Sequence, residues 1–181
     1  MQAFQYLINI VFDLYLMIVL LRIWLQLVRA DFYNPFSQFV IKATNPVVAP
    51  LRRIIPGLGG VDWASVLIAF AVAALKWALL MGMTGAISWQ FLPYIAALNV
   101  VKEAGTMIFW VLLLRAILSW VSQGRSPVEY VMSQLSEPLL SPIRRVIPAI
   151  GGLDLSVLVL FIILNFLNLL MAGWIPYWSA I

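Results

Sequence analysis

Four ionisable side chains stand inside long apolar stretches: Asp13, Lys76, Lys102 and Glu103. A charge at the centre of a membrane-spanning helix costs about 2.5–3.5 kcal/mol on insertion scales, so each needs a partner or water. Such groups serve as buried ion pairs, proton relays or steps on an ion path. Lys76 lies near mid-stretch, and the other three lie a little over two turns from one end. At a rise of ~1.5 Å per residue, Asp13–Lys76 and Glu103–Lys76 pairs are both within reach. Asn9 precedes Asp13 by one helical turn, as Lys102 precedes Thr106, so each pair shares a helix face. With Asn165 and Asn168, these residues predict a polar seam where two halves of the chain meet. It has two readings. Either it holds helices together, as buried ion pairs and interhelical amides do, or it senses or conducts ions.

A second set of charges is paired along the chain: Arg52-Arg53 and Arg144-Arg145. These four are topology determinants at the lipid headgroups, or a binding site for anionic lipid or a partner. Enzyme chemistry is not expected. With no cysteine there is no thiol nucleophile, thiolate metal site or disulfide. With no histidine the commonest general base and metal or haem ligand is missing too. No cofactor or metal is expected.

The elements that position these groups follow from composition. The chain has 181 residues, 64% hydrophobic and 10% charged, against about 25% charged in a soluble domain. Too few polar groups remain to cover an outer surface, so lipid must be the solvent. A spanning helix needs ~20 mostly apolar residues, and four stretches qualify, at about 4–28, 63–91, 94–121 and 155–178. The first is read as a retained helix, since no basic segment precedes it and no small-residue cleavage site follows. The second is long enough to tilt or kink near Gly82 and Gly85. Seven of the eleven Lys/Arg lie in loops 29–62 and 122–154, which places both loops in the cytoplasm and both termini outside. That distribution accounts for the net charge of +4 without nucleic acid. Arg22 and Arg115, near the cytoplasmic helix ends, are expected to snorkel.

The two loops are copies. Eight of the ten prolines pair at one offset, as do both arginine pairs, both Gly-Gly pairs and two aspartates. The shared motif reads Pro50-Leu-Arg52-Arg53-Ile-Ile-Pro56-Gly-Leu-Gly59-Gly60-Val-Asp62 and Pro142-Ile-Arg144-Arg145-Val-Ile-Pro148-Ala-Ile-Gly151-Gly152-Leu-Asp154. Upstream, Asn34-Pro35 and Ser126-Pro127 read as helix caps followed by proline at N1, and Ser126 with Glu129 as a capping box. Short amphipathic helices are expected over 36–44 and 128–135. The proline-rich stretch beyond each should not hold a long helix. The glycine pairs permit a reversal, and the aspartates cap the next helix. The fold class is therefore an all-α membrane protein with four transmembrane helices as two tandem same-topology repeats, 1–92 and 93–181.

Asp31-Phe-Tyr-Asn-Pro-Phe-Ser, the doubled Pro-x-Arg-Arg-x-Ile-Pro-x-x-Gly-Gly-x-Asp motif and Val121-Ser-Gln-Gly-Arg-Ser-Pro together resemble the YggT family of bacterial inner-membrane proteins, which has plastid relatives. The resemblance covers nearly the whole chain. It implies an inner-membrane location and a role in osmotic or envelope stress and in ion or solute homeostasis. It also leaves open a scaffold or assembly factor that docks partners or anionic phospholipid headgroups through the paired loops. A homo-oligomer or a membrane-protein partner accompanies either reading. The family supplies no catalytic residues to carry over.

Overall fold

The structure is a computed structural model that describes residues 2–57, 59–85, 89–121, 126–147 and 154–181. Helices α1 (Gln2–Leu27), α3 (Trp63–Thr84), α4 (Leu92–Val121) and α6 (Leu155–Trp174) are long and apolar enough to span a membrane. Helices α2 (Pro35–Arg52) and α5 (Pro127–Val146) are amphipathic and lie between the members of each spanning pair. No strand forms among the described residues.

Three of the spanning helices stop for a local reason. Arg29 takes a left-handed φ of 52° after α1. Ala30 N then donates to Leu25 O at 2.9 Å and Arg29 N to Gln26 O at 3.1 Å, the two bonds of a Schellman motif. Helix α3 ends at Thr84, not 91, because Gly85 adopts φ 71°. Helix α6 ends at Trp174, not 178. Pro176 lacks an amide and drives Ile175 out of helical geometry, to φ −106°, ψ 118°. The following residues fold back and bury Trp178.

The interfacial helices are longer than expected. Helix α2 passes through Pro46 and Pro50, and α5 through Pro138 and Pro142. All four prolines are exposed, so the carbonyls that lose an amide partner sit on the outward side, where solvent can satisfy them. The inward stripe, Ser37, Val40, Thr44 and Val48 in α2, keeps its packing. Asn34 caps α2 by accepting from Phe36 N at 3.0 Å. Ser126 makes no side-chain cap bond, so its half of the expected capping box does not form.

Two clusters make the core. The larger joins α1, α3 and α4, with the inner faces of α2 and α5 beneath. In it Leu16, Val19 and Leu20 of α1 meet the small stripe Ala64, Ser65, Ala69 and Ala73 of α3, which lets the backbones approach closely. The smaller joins α4, α5 and α6 through Leu112, Leu140 and Leu160. Helix α6 packs chiefly on α4 and α5. Where the first half places Leu16 and Ala69, the second places Phe109 and Phe161, whose rings meet at 4.9 Å. These rings hold α6 off α4 and leave a cleft of about 770 Å³ lined in part by Gly105, Thr106, Asn165 and Asn168.

Candidate functional site: a membrane charge cluster and two arginine clamps

Helix α3 carries its small stripe down to Lys76, which is buried. From there Lys76 Nζ donates to Asp13 Oδ1 of α1 at 2.6 Å. Glu103 of α4 is also buried and lies within electrostatic range of Asp13, Lys76 and Lys102. The Lys76–Asp13 pair thus lies where α1, α3 and α4 converge, with Glu103 in electrostatic range but in no ion pair among the described residues. Of the two pairings open to Lys76, the fold selects Asp13. Asn99, one turn before Glu103 on α4, is buried with no partner for Oδ1 among the described residues. Sequence reasoning missed it, although its spacing from Glu103 places it on the same helix face.

The remaining seam residues do not continue this cluster. Lys102 turns to the folded-back tail and donates to Trp178 O at 2.9 Å and to Ile181 O. Trp178 Nε1 donates to Asn168 Oδ1 at 2.9 Å. Thr106 donates to Lys102 O within its own helix, at 3.1 Å. Asn165 is exposed in the α4–α6 cleft, and Asn9 is half-buried on α1. The seam residues thus fall in two adjoining polar regions, the Lys76–Asp13 pair with Glu103 and the α4–α6 cleft lined by Lys102, Thr106, Asn165 and Asn168.

Arg22 and Arg115 do not snorkel. Arg22 is buried, and its Nη1 donates to Thr44 Oγ1 at 2.6 Å and Asn45 Oδ1 at 2.8 Å, tying α1 to α2. Its Nε stands 3.7 Å from Asp62 Oδ2. Arg115 makes the matching tie from α4 to α5, donating to Ser136 Oγ and to Glu137 Oε2, the latter at 3.3 Å. Inward-facing hydroxyls on α2 and α5 supply acceptors closer than water, which removes the reason to snorkel.

The arginine pairs divide their labour. Arg52 Nε donates to Asp62 Oδ2 at 2.9 Å, and Arg144 Nε to Asp154 Oδ2 at 3.0 Å. Their neighbours Arg53 and Arg145 are exposed. The first of each pair is thus ion-paired within the chain, Arg52 to Asp62 and Arg144 to Asp154. Gly59 and Gly60 take φ 65° and 82° and make the expected reversal beyond Pro56. Their counterparts Pro148, Gly151 and Gly152 lie outside the described residues. Asp154 caps α6, accepting from Ser156 N at 3.0 Å. Asp62 makes no such cap and spends Oδ2 on Arg52 and on Ser65 Oγ at 2.6 Å.

Burial pushes the Asp62 carboxyl up, but the Arg52 and Ser65 hydrogen bonds hold it below the usual carboxylate range. Asp154 behaves alike, with burial outweighed by Ser156 and Arg144. A depressed native pKa adds stability above the unfolded value of about 3.9, and that stability is lost as pH falls through the native value. The unfolding midpoint in detergent is expected to drop as pH falls below about 4. In Asp62→Asn/Asp154→Asn it should fall less steeply there. Equal slopes would show that the two carboxylates are not linked to folding.

Residues 1–83 and 94–175 match the CCB3/YggT family. The chain belongs to that family. A Vibrio alginolyticus relative, named an uncharacterized protein in the proC 3′ region, is 59% identical over 98% of each chain. The uncharacterized protein YggT of Escherichia coli K12 is 49% identical over 93% of this chain and 89% of its own. A Haemophilus influenzae relative is 41% identical over 89% of this chain and 87% of its own. No solved structure matches. Family membership and the four apolar helices together identify a CCB3/YggT membrane protein.

Proposed function

We propose that this CCB3/YggT protein serves the osmotic or envelope stress response from the bacterial inner membrane, with a role in ion or solute homeostasis exerted through the Asp13–Lys76–Glu103 cluster. The observation that carries the reading is the 2.6 Å Lys76–Asp13 pair with Glu103 buried beside it. Ionisable groups at such depth mark ion paths and proton relays in membrane proteins. Asp13 takes Lys76 as its ion-pair partner while the buried Glu103 has none among the described residues, which leaves a carboxyl at which a proton or cation can bind as conditions change. The three groups come from three helices, so a change of charge there alters how those helices attract one another. The basic ends of α2 and α5 face the cytoplasm and the termini face outward in this reading. Several copies act together, since four spans enclose little room for a pore. The protein has no covalent chemistry of its own in this reading.

The test is growth after an osmotic upshift in a strain lacking the protein. Wild-type protein should restore growth, and Asp13→Asn/Lys76→Met, present at equal abundance, should not. Full restoration by the double variant would contradict the reading.

A second reading is a scaffold that docks a partner protein through the exposed Arg53 and Arg145. It predicts photocrosslinks from positions 53 and 145 to one defined protein in native membranes. Their absence would count against it.

A further inference from the structure

The same arginine clamp is closed in one half of the chain and open in the other. In the second half, two guanidiniums meet two carboxylates. Arg144 Nη1 donates to Glu137 Oε1 and Oε2 at 2.9 and 3.0 Å, and Arg115 shares Glu137 Oε2. Asp154 has both oxygens engaged, Oδ2 by Arg144 and Oδ1 by Ser156. In the first half Asn45 stands where the second has Glu137. Arg22 and Arg52 therefore share one carboxylate, Asp62. The side-chain donors to Asp62 converge on Oδ2, while Oδ1 is buried with no hydrogen-bond partner among the described residues.

This unbalanced group lines an open cavity of about 730 Å³ between α1, α2 and the start of α3. Its polar wall is Arg22, Gln26, Asn45, Arg52 and Asp62, and Phe32 contributes to an apolar one. The site carries one net positive charge. A ligand that fits must bring one negative charge with acceptor oxygens for the guanidiniums, and a donor for Asp62 Oδ1. Buried charges and unpartnered acceptors are costly unless such a match is made. Arginine suits phosphate better than any other side chain does, through its planar fork of donors.

We infer that this cavity binds an anionic phosphodiester whose head group carries hydroxyls, the glycerophosphate class, with the phosphate on Arg22 and Arg52 and a hydroxyl donating to Asp62 Oδ1. The apolar wall beside the guanidiniums can accept the attached chains of a lipid of that class. A phosphoethanolamine head group would supply a donor but leave the site charged, and a phosphocholine head group has no donor. The site is separate from the membrane charge cluster and from Arg53 and Arg145, so its failure leaves both earlier readings standing.

The test uses full-length protein in detergent, with the thermal unfolding midpoint read against dioctanoyl phosphatidylglycerol, dioctanoyl phosphatidylcholine and chain-free glycerophosphoglycerol. Phosphatidylglycerol should raise the midpoint saturably and phosphatidylcholine should not. Asn45→Glu installs the carboxylate that the second half already tolerates, and should raise the half-saturating concentration at least about tenfold. A response to lipid alone assigns a lipid source, and an equal response to glycerophosphoglycerol assigns a soluble phosphodiester. Native mass spectra of the wild type, with both lipids in competition, give a readout that does not depend on Asn45→Glu folding. Equal binding of the two lipids there would overturn the proposal, as would an unchanged response in a folded Asn45→Glu.

Discussion

Asp13→Asn is expected to destabilise the bundle by about 3 kcal/mol, the scale of leaving an uncompensated charge in a membrane span. The cost arises on Lys76, which is buried on α3, has Asp13 as its 2.6 Å partner and makes no ion pair with Glu103. Asparagine keeps an acceptor there but no charge. Lys76→Met in the same background removes the stranded ammonium and should return stability to within about 1 kcal/mol of wild type, because a paired charge and its apolar replacement are nearly equal in net free energy. Unfolding in mixed micelles with increasing sodium dodecyl sulfate reads both quantities. If Asp13→Asn costs nothing, or the double variant is as unstable as the sum of the singles, the pair is not coupled.

The second large effect compares one substitution in the two copies of the arginine motif. Asp62→Asn should cost about 3 kcal/mol, since it strips the carboxylate from Arg52 and from the buried Arg22. Asp154→Asn should cost about 1 kcal/mol or less, because the Asp154 side chain is 38% exposed and Arg144 retains Glu137. Identical motif residues thus hide a difference in burial, Asp62 being 1% and Asp154 38% exposed. Equal costs in the same micelle assay would mean that the two motifs are energetically alike despite Asn45 and Glu137.

Much of this architecture is written in local pattern. Twenty apolar residues in a row have one economical solution in lipid, so the four spans were legible. Helix ends depended on single residues. Pro176 and Gly85 carry the signal for the early stops of α6 and α3, but hydrophobicity alone runs past both. Proline rules misjudged α2 and α5, because they count the lost amide bond and not the side on which it is lost. Pro46, Pro50, Pro138 and Pro142 all face outward, where that loss is cheap.

The candidate site was legible in its members and less so in its partners. Depth and spacing marked Asp13, Lys76 and Glu103, and only packing could choose Asp13 for Lys76. Lys102 finds acceptors in the tail, beyond the reach of any spacing argument. The inward clamp of Arg22 and Arg115 had a signal that went unread. Thr44 and Ser136 lie on the apolar stripes of α2 and α5, one residue before Asn45 and Glu137. Polar side chains at matching places on two buried stripes call for donors from a neighbouring helix.

The most direct test of an ion-handling charge cluster is flux. Purified protein in liposomes, loaded with potassium- and pH-sensitive dyes, should pass cations or protons faster than empty liposomes under an imposed gradient. Asp13→Asn/Lys76→Met, matched for stability, should return the rate to that of empty liposomes. Wild-type protein that passes neither ion above the empty control, in either orientation of the gradient, would contradict the account.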